Sequence, residues 1–205
     1  MQELGRWASR GYLPHYEDGK RFQIVTYRLI DSLPLAVFRK LEEIRRETPS
    51  LAPGFAERHL DLGHGSCRLR DPQNAKIIVD AWKFFDRQRY LLHAWVVMPN
   101  HVHVLFELSE AWPLSKILHS WKSWSAKRII ENERGPSLPA GDARVWQREY
   151  FDRFIRNEEH YAAAVRYIHE NPVKAGLVRK ASDWEWSSAA DLDVIRRQRR
   201  RTADI

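Results

Sequence analysis

"YLLHAWVVMPNHVHVLFE", residues 90–107, divides into an apolar run, a tight turn and a second run in which two histidines alternate with valines. The first run, 90–97, is apolar on both faces, as a covered central strand would be. "MPNH" is a turn signal, and the pair of runs reads as a β-hairpin. On a strand, residues two apart share a face, so His101 and His103 point one way and Val102, Val104 and Phe106 the other. Leu or Val would pack better than either imidazole. The pair is placed to share one metal ion or one phosphate, although a lone His-X-His is more often incidental than a site.

Working outward, "KRFQIVTYRL" (20–29) alternates as a strand does, and "LPLAVFRKLEEIRRE" (33–47) has helical spacing at Leu33, Val37, Leu41 and Ile44. "DLGHGSCRLRDP" (61–72) is turn-rich, and a helix is expected over 74–88 after Asp71 and Pro72. Residues 113–132 form a long helix with Leu114, Ile117, Leu118 and Trp121 on one stripe. Residues 135–142 are a loop and 145–155 have strand character. A last helix over 157–172 has Asn157 as N-cap, acidic residues in its first turn and Pro172 closing it. Strands separated by helices, with a hairpin in the middle, predict an α+β fold in which helices pack on an antiparallel sheet. One domain, 1–190, is followed by a basic tail, 191–205.

Composition narrows the function classes. At 205 residues with 43% hydrophobic content the chain buries a real core. Its single cysteine, Cys67, excludes an internal disulfide, and the first twenty residues lack the apolar region of a secretory signal. The longest run free of Asp, Glu, Lys and Arg is too short for a membrane span, so a cytoplasmic protein is expected. The net charge of +7 suits a polyanion partner, and Arg196, Arg197, Arg199, Arg200 and Arg201 concentrate it in "RRQRRR". That run reads either as a solvated tail or as a phosphate-binding arm. In "SWKSWSAKR" (120–128), Lys122, Lys127 and Arg128 interleave with Trp121 and Trp124, a pattern that stacks bases and holds backbone when the tryptophans are not core.

In the last helix, Tyr161, Val165 and Ile168 form the core stripe. Tyr167 lies roughly 100–120° off that stripe and Asn171 stacks one turn beyond it. Ala163 and Ala164 leave room beside them. A boundary tyrosine is the ordinary explanation for such a position.

"AWVVMPNHVHVLFE", "WQREYFDRFIRNEEHYAAAVRYIHENPVKAGLV" and "DWEWSS" together resemble the REP-associated tyrosine transposases, single-tyrosine transposases within the wider HUH (His, hydrophobic, His) endonuclease superfamily. The resemblance runs from about residue 20 to about residue 188. It implies a ferredoxin-like HUH sandwich. His101 and His103 become ligands of a divalent cation, Mg²⁺ or Mn²⁺, and Tyr167 the nucleophile. Asn171 stands where relatives carry a third polar ligand. The implied partner is single-stranded or hairpin DNA formed by repeated extragenic palindromes, cut through a 5′-phosphotyrosine. Two other classes fit the same residues: a DNA-binding module that has lost cleavage, and a hydrolase in which the metal activates water. Residues 30–60 carry no motif of this kind.

Overall fold

The computed structural model describes residues 6–9, 14–17, 22–134 and 144–190. Strands β1 (Arg6–Ser9) and β2 (Pro14–Glu17) pair as a small antiparallel ribbon. Strand β3 (Phe22–Arg28) follows, then helices α1 (Leu35–Glu47), α2 (Ala52–Leu60) and α3 (Pro72–Phe84). The hairpin β4 (Tyr90–Val97) and β5 (His101–Leu108) leads into the long α4 (Leu114–Arg134), short β6 (Phe151–Phe154) and α5 (Glu158–Lys174). The main sheet is antiparallel throughout, in the order β4-β5-β3-β6. This is the expected α+β class, with the histidine strand β5 in the sheet interior.

The sheet has two dressed faces. On one, Val25, Tyr27, Val102, Val104 and Phe106 pack against Ile78 and Trp82 of α3 and Leu114, Ile117, Leu118 and Trp121 of α4. Two of the buried indoles have their donors satisfied: Trp82 Nε1 donates to Tyr27 Oη at 3.0 Å, and Trp121 Nε1 to Tyr90 Oη at 2.9 Å. On the other face, Ala94, Val96 and Leu105 pack against Ala164 and Ile168 of α5. A third cluster, Leu33, Leu41, Ala52, Ala56 and Leu60, joins α1 to α2 and takes in Phe151 of β6. The motif-free residues 30–60 are therefore a helical pair docked beside the end of the sheet.

Several expectations need correction. Strand β4 lies at the edge of the sheet, not at its centre. It reads as central because residues 184–188 close its outer edge. Val97 N donates to Trp186 O at 2.8 Å, Ser188 N to Trp95 O at 2.9 Å, and Trp184 Nε1 to Val97 O at 2.9 Å. Periodicity registers burial, and a covered edge is as buried as a centre. Strand β6 is only four residues long, and 145–150 contribute a single bridge, Leu29 to Trp146. Pro172 lies inside α5 rather than closing it, because the ring removes one donor while the helix runs on to Lys174. Asn157 is the N-cap, accepting from His160 N at 2.8 Å, and Asp71 caps α3 by accepting from Gln73 N at 2.8 Å. The expected loop at 135–142 falls outside the described residues, as does the whole tail. No helix among the described residues is long and apolar enough to cross a membrane.

Candidate active site

Both imidazoles of β5 point toward α5, and both are fully buried: His101 is 0% and His103 1% exposed. Their Nε2 atoms stand 3.1 Å apart with the rings nearly perpendicular. Each Nδ1 is occupied elsewhere. His101 Nδ1 lies 2.8 Å from Asn100 Oδ1, an acceptor only, so it donates and Nε2 keeps its lone pair. His103 Nδ1 lies 2.7 Å from Thr26 Oγ1 on β3, its register partner. These partners fix ring orientation in the way a metal-ligating histidine requires. Asn100 also donates to Leu60 O at 3.2 Å and His64 O at 3.0 Å, so the turn before His101 grips the end of α2.

Helix α5 delivers the expected partners. Tyr167 Oη is 3.4 Å and Asn171 Nδ2 3.3 Å from His103 Nε2. Asn171 is wholly buried, and its amide oxygen has no partner. Ile168 fills the core stripe, flanked by half-buried Tyr161 and Val165, and Tyr167 is turned off it toward the imidazoles. The space predicted beside the alanines is real: a cleft of about 320 Å³ runs from Tyr167 past Ala163 and Ala164 to Thr26, Glu57 and Arg153.

Two carboxylates approach from α2, and sequence reasoning missed both. Glu57 hydrogen-bonds Tyr167, and Asp61 Oδ1 lies 3.9 Å from His101 Nε2. Their four-residue spacing is the only signal in the sequence, and it is also that of an ordinary solvated helix face. Thr26 and Asn100 were missed too, since neither residue type is unusual in a strand or a turn.

The electrostatics are those of a site short of positive charge. Burial, then the neighbouring His103, holds His101 well below the usual imidazole range. Burial, then Lys174, lowers His103 to about 3. Burial, then the charge of Glu57, pushes Asp61 up to about 6, with Lys174 opposing. Burial and the two carboxylates drive the Tyr167 phenol far above its ordinary value. Lys174 Nζ stands 5.1 Å from the Tyr167 ring centroid. Neutral imidazoles, unsatisfied oxygens and a reluctant phenol would all be relieved by one divalent cation between them. The described residues hold no ready-made group of three His, Cys, Asp or Glu ligands. Beyond the imidazole pair, the donors are the amide of Asn171 and the more distant Asp61.

These shifts predict acid sensitivity in metal-free protein. A buried imidazole with a depressed folded pKa contributes stability above its unfolded pKa of about 6.5, and that contribution is lost as pH falls toward the folded value. His169, lowered by burial to about 4, behaves like His103. Asp61 runs the other way, because its raised pKa favours the fold below about 6. Three imidazoles outweigh one carboxyl. Thermal melts in chelator should show a loss on the order of 2–4 kcal/mol between pH 7 and pH 5. A flat profile would mean that the histidines are not buried as neutral groups.

The other expected DNA contacts lie elsewhere. Lys122 Nζ donates to Gln147 O and Arg148 O, both at 2.7 Å, and burial lowers its pKa to about 8. It ties α4 to the chain before β6. Lys127 and Arg128 are exposed on α4, each near Glu131, and the Arg128 guanidinium lies 5.7 Å from the ring of half-exposed Trp124. Trp121 is core. Because α4 packs on the far face of the sheet, the sheet separates these cations from the histidine pair. Arg196, Arg197, Arg199, Arg200 and Arg201 lie outside the described residues. Of the remaining histidines, His93 is the extra residue of a bulge in β4 and meets Tyr161 Oη at 2.9 Å, and His169 meets Ser188 Oγ at 2.8 Å.

Residues 75–171 match the family described as "Transposase IS200 like". A REP-associated tyrosine transposase of Escherichia coli (strain K12) is 32% identical over 97 residues, 47% of this chain and 53% of that protein. A Haemophilus influenzae (strain ATCC 51907 / DSM 11121 / KW20 / Rd) relative, provisionally given the same description, is 28% identical over 96 residues, 45% of this chain and 54% of that protein. This chain thus spans about half the length of the curated relatives it matches. A solved REP-associated tyrosine transposase bound to a REP hairpin superimposes with a TM-score of 0.49 at 22% identity, over 85% of this chain and 79% of that one.

Proposed function

We propose that this chain, whose residues 75–171 match the IS200-like transposase family, is a cytoplasmic DNA nicking and joining enzyme. Its substrate on this reading is single-stranded DNA, folded as a hairpin at elements of the REP kind that the description of its Escherichia coli relative names. The observation that carries the reading is the convergence on His103 Nε2 of three groups from two elements: His101 at 3.1 Å, Asn171 at 3.3 Å and Tyr167 at 3.4 Å.

His101, His103 and Asn171 would hold the Mg²⁺ or Mn²⁺. When bound, that cation polarises the scissile phosphate and lowers the cost of forming phenolate nearby. The chain supplies the rest. Helix α5 is fixed by Ile168 in the core, so the Tyr167 hydroxyl is held at the mouth of the cleft rather than searching for it. Glu57, hydrogen-bonded to Tyr167, takes the phenol proton as the oxygen attacks. The attack forms a bond from Tyr167 Oη to phosphorus and breaks the bond to the 3′ oxygen. A 5′-phosphotyrosine results, and the departing 3′ oxygen takes up a proton from solvent to give a free 3′-hydroxyl. The ester is conserved in energy, so a second 3′-hydroxyl rejoins the strand without ATP.

The test is to incubate the protein with labelled hairpin-bearing single-stranded DNA and Mn²⁺ and run a denaturing gel. A slow-migrating protein–DNA species is expected. Cleaved DNA with no adduct would select a hydrolase using metal-activated water, and binding without cleavage would select a DNA-binding module.

The arginine run acts on affinity alone. Each phosphate neutralised on a single strand contributes about −0.7 to the slope of log K against log salt. Deleting residues 195–205 should flatten that slope by roughly two to three units, if about four contacts form, while cleavage at saturating DNA stays the same. An unchanged slope would make the run a solvated end.

A further inference from the structure

Helix α2 lies outside the matched residues 75–171, yet its C-terminal end is held at the histidine pair. Asn100 provides the grip, donating to Leu60 O and His64 O while accepting from His101. Asp61 follows directly on Leu60, and its Oδ1 is buried, has no hydrogen-bond partner and faces His101 Nε2 at 3.9 Å. A second buried oxygen without a partner, Asn171 Oδ1, belongs to the wholly buried amide beside His103. A buried oxygen left unpaired is costly, and two of them flanking two imidazole lone pairs point to a missing cation.

The distances suit this. Ligands about 2.1 Å from an octahedral cation stand about 3.0 Å apart when adjacent. The imidazole nitrogens are 3.1 Å apart, and the Asn171 amide that carries the unpartnered oxygen places its nitrogen 3.3 Å from His103 Nε2. Asp61 needs to move in by the difference between 3.9 Å and that spacing, a side-chain rotation at a helix end.

We infer that Asp61 is a further ligand of the divalent cation, carried into the site by α2 and held in reach by Asn100. The inference rests on the reading of His101 and His103 as a metal site and adds its one anionic donor. Two imidazoles alone favour Zn²⁺ and softer ions, whereas a carboxylate and an amide oxygen shift the set toward Mg²⁺ and Mn²⁺. Asp61 would also balance part of the cation's charge beside a phosphate.

The test uses the full chain and Mn²⁺ alone, without DNA, with binding measured by titration calorimetry. Asp61→Asn should weaken Mn²⁺ binding by roughly tenfold or more, the scale seen when a metal site loses one supporting group. His103→Ala should abolish it. If His103→Ala loses the ion and Asp61→Asn holds it within twofold, this inference fails and the metal site stands. If wild type takes up no Mn²⁺, or His103→Ala keeps it, both readings fall. Wild-type protein gives an answer free of any folding defect. Added Mg²⁺ should shift the side-chain carboxyl ¹³C resonance of Asp61, and an unmoved resonance overturns the assignment.

Discussion

Tyr167→Phe protein is expected to form no covalent adduct with DNA and still to bind hairpin DNA with near wild-type affinity. The substitution removes one oxygen and leaves the ring, which packs half-buried against the Ile168 cluster, so the fold has little reason to change. The lost group is the hydroxyl 3.4 Å from His103 Nε2 at the mouth of the cleft. Among the described residues, no second tyrosine stands ready to replace it. Tyr161, on the same helix, is turned to His93, and Tyr27 is buried on the far face of the sheet with its hydroxyl accepting from Trp82. The adduct should fall below detection, a loss of at least ~10³-fold, the scale on which a covalent step fails without its nucleophile. Adduct at wild-type yield in the Phe variant would remove Tyr167 from the chemistry.

The second large effect is loss of cleavage when the cation or its imidazoles are taken away. Wild type in EDTA should cut no DNA, with activity restored by Mn²⁺. His101→Ala with His103→Ala should stay inactive at any Mn²⁺ concentration. A cation held there would contribute several kcal/mol of charge stabilisation, so about 10³-fold or more in rate is expected to vanish. DNA affinity should largely remain, since Lys and Arg contacts to phosphate supply most of it. The double variant also strips hydrogen-bond partners from Asn100 and Thr26, and about 1–3 kcal/mol of stability should go with each. The chelation arm is free of that effect and therefore decides the matter. Cleavage undiminished in EDTA sinks the metal role. Asn171→Ala should lose only part of the activity, because water can replace one neutral oxygen donor.

The histidine strand, its turn and the tyrosine helix were legible because each is local. Alternation put His101 and His103 on one face, and helical phase put Tyr167 and Asn171 on one shoulder away from Ile168. Two alanines signalled the cleft. What could not be read was anything set by packing between distant segments. Strand β4 looked central because Trp95 and Val97 are buried, and burial carries no label saying whether a strand or a loop does the burying. Lys122 looked like a surface cation, although its ammonium is held by two backbone carbonyls from the chain before β6. Glu57 and Asp61 carry in the sequence only a four-residue spacing, which any solvated helix face shares. Only the docking of α2 beside the sheet, through Leu60 and Asn100, turns that face inward.

The closure of β4 by residues 184–188 also bears on how the protein is made. Trp95 and its partner Ser188 stand 93 positions apart, so a growing chain exposes β4 long before it can be covered. The hairpin β4–β5 can pair as soon as it leaves the ribosome, but its outer edge stays open through the synthesis of α4, β6 and α5. During that interval Leu92, Ala94 and Val96 border an unpaired apolar edge, the kind that recruits neighbouring chains. Sealing this sheet is thus a late and non-local event in the life of each molecule, and a nascent chain halted before Trp184 would leave the ribosome with its most adhesive border uncovered.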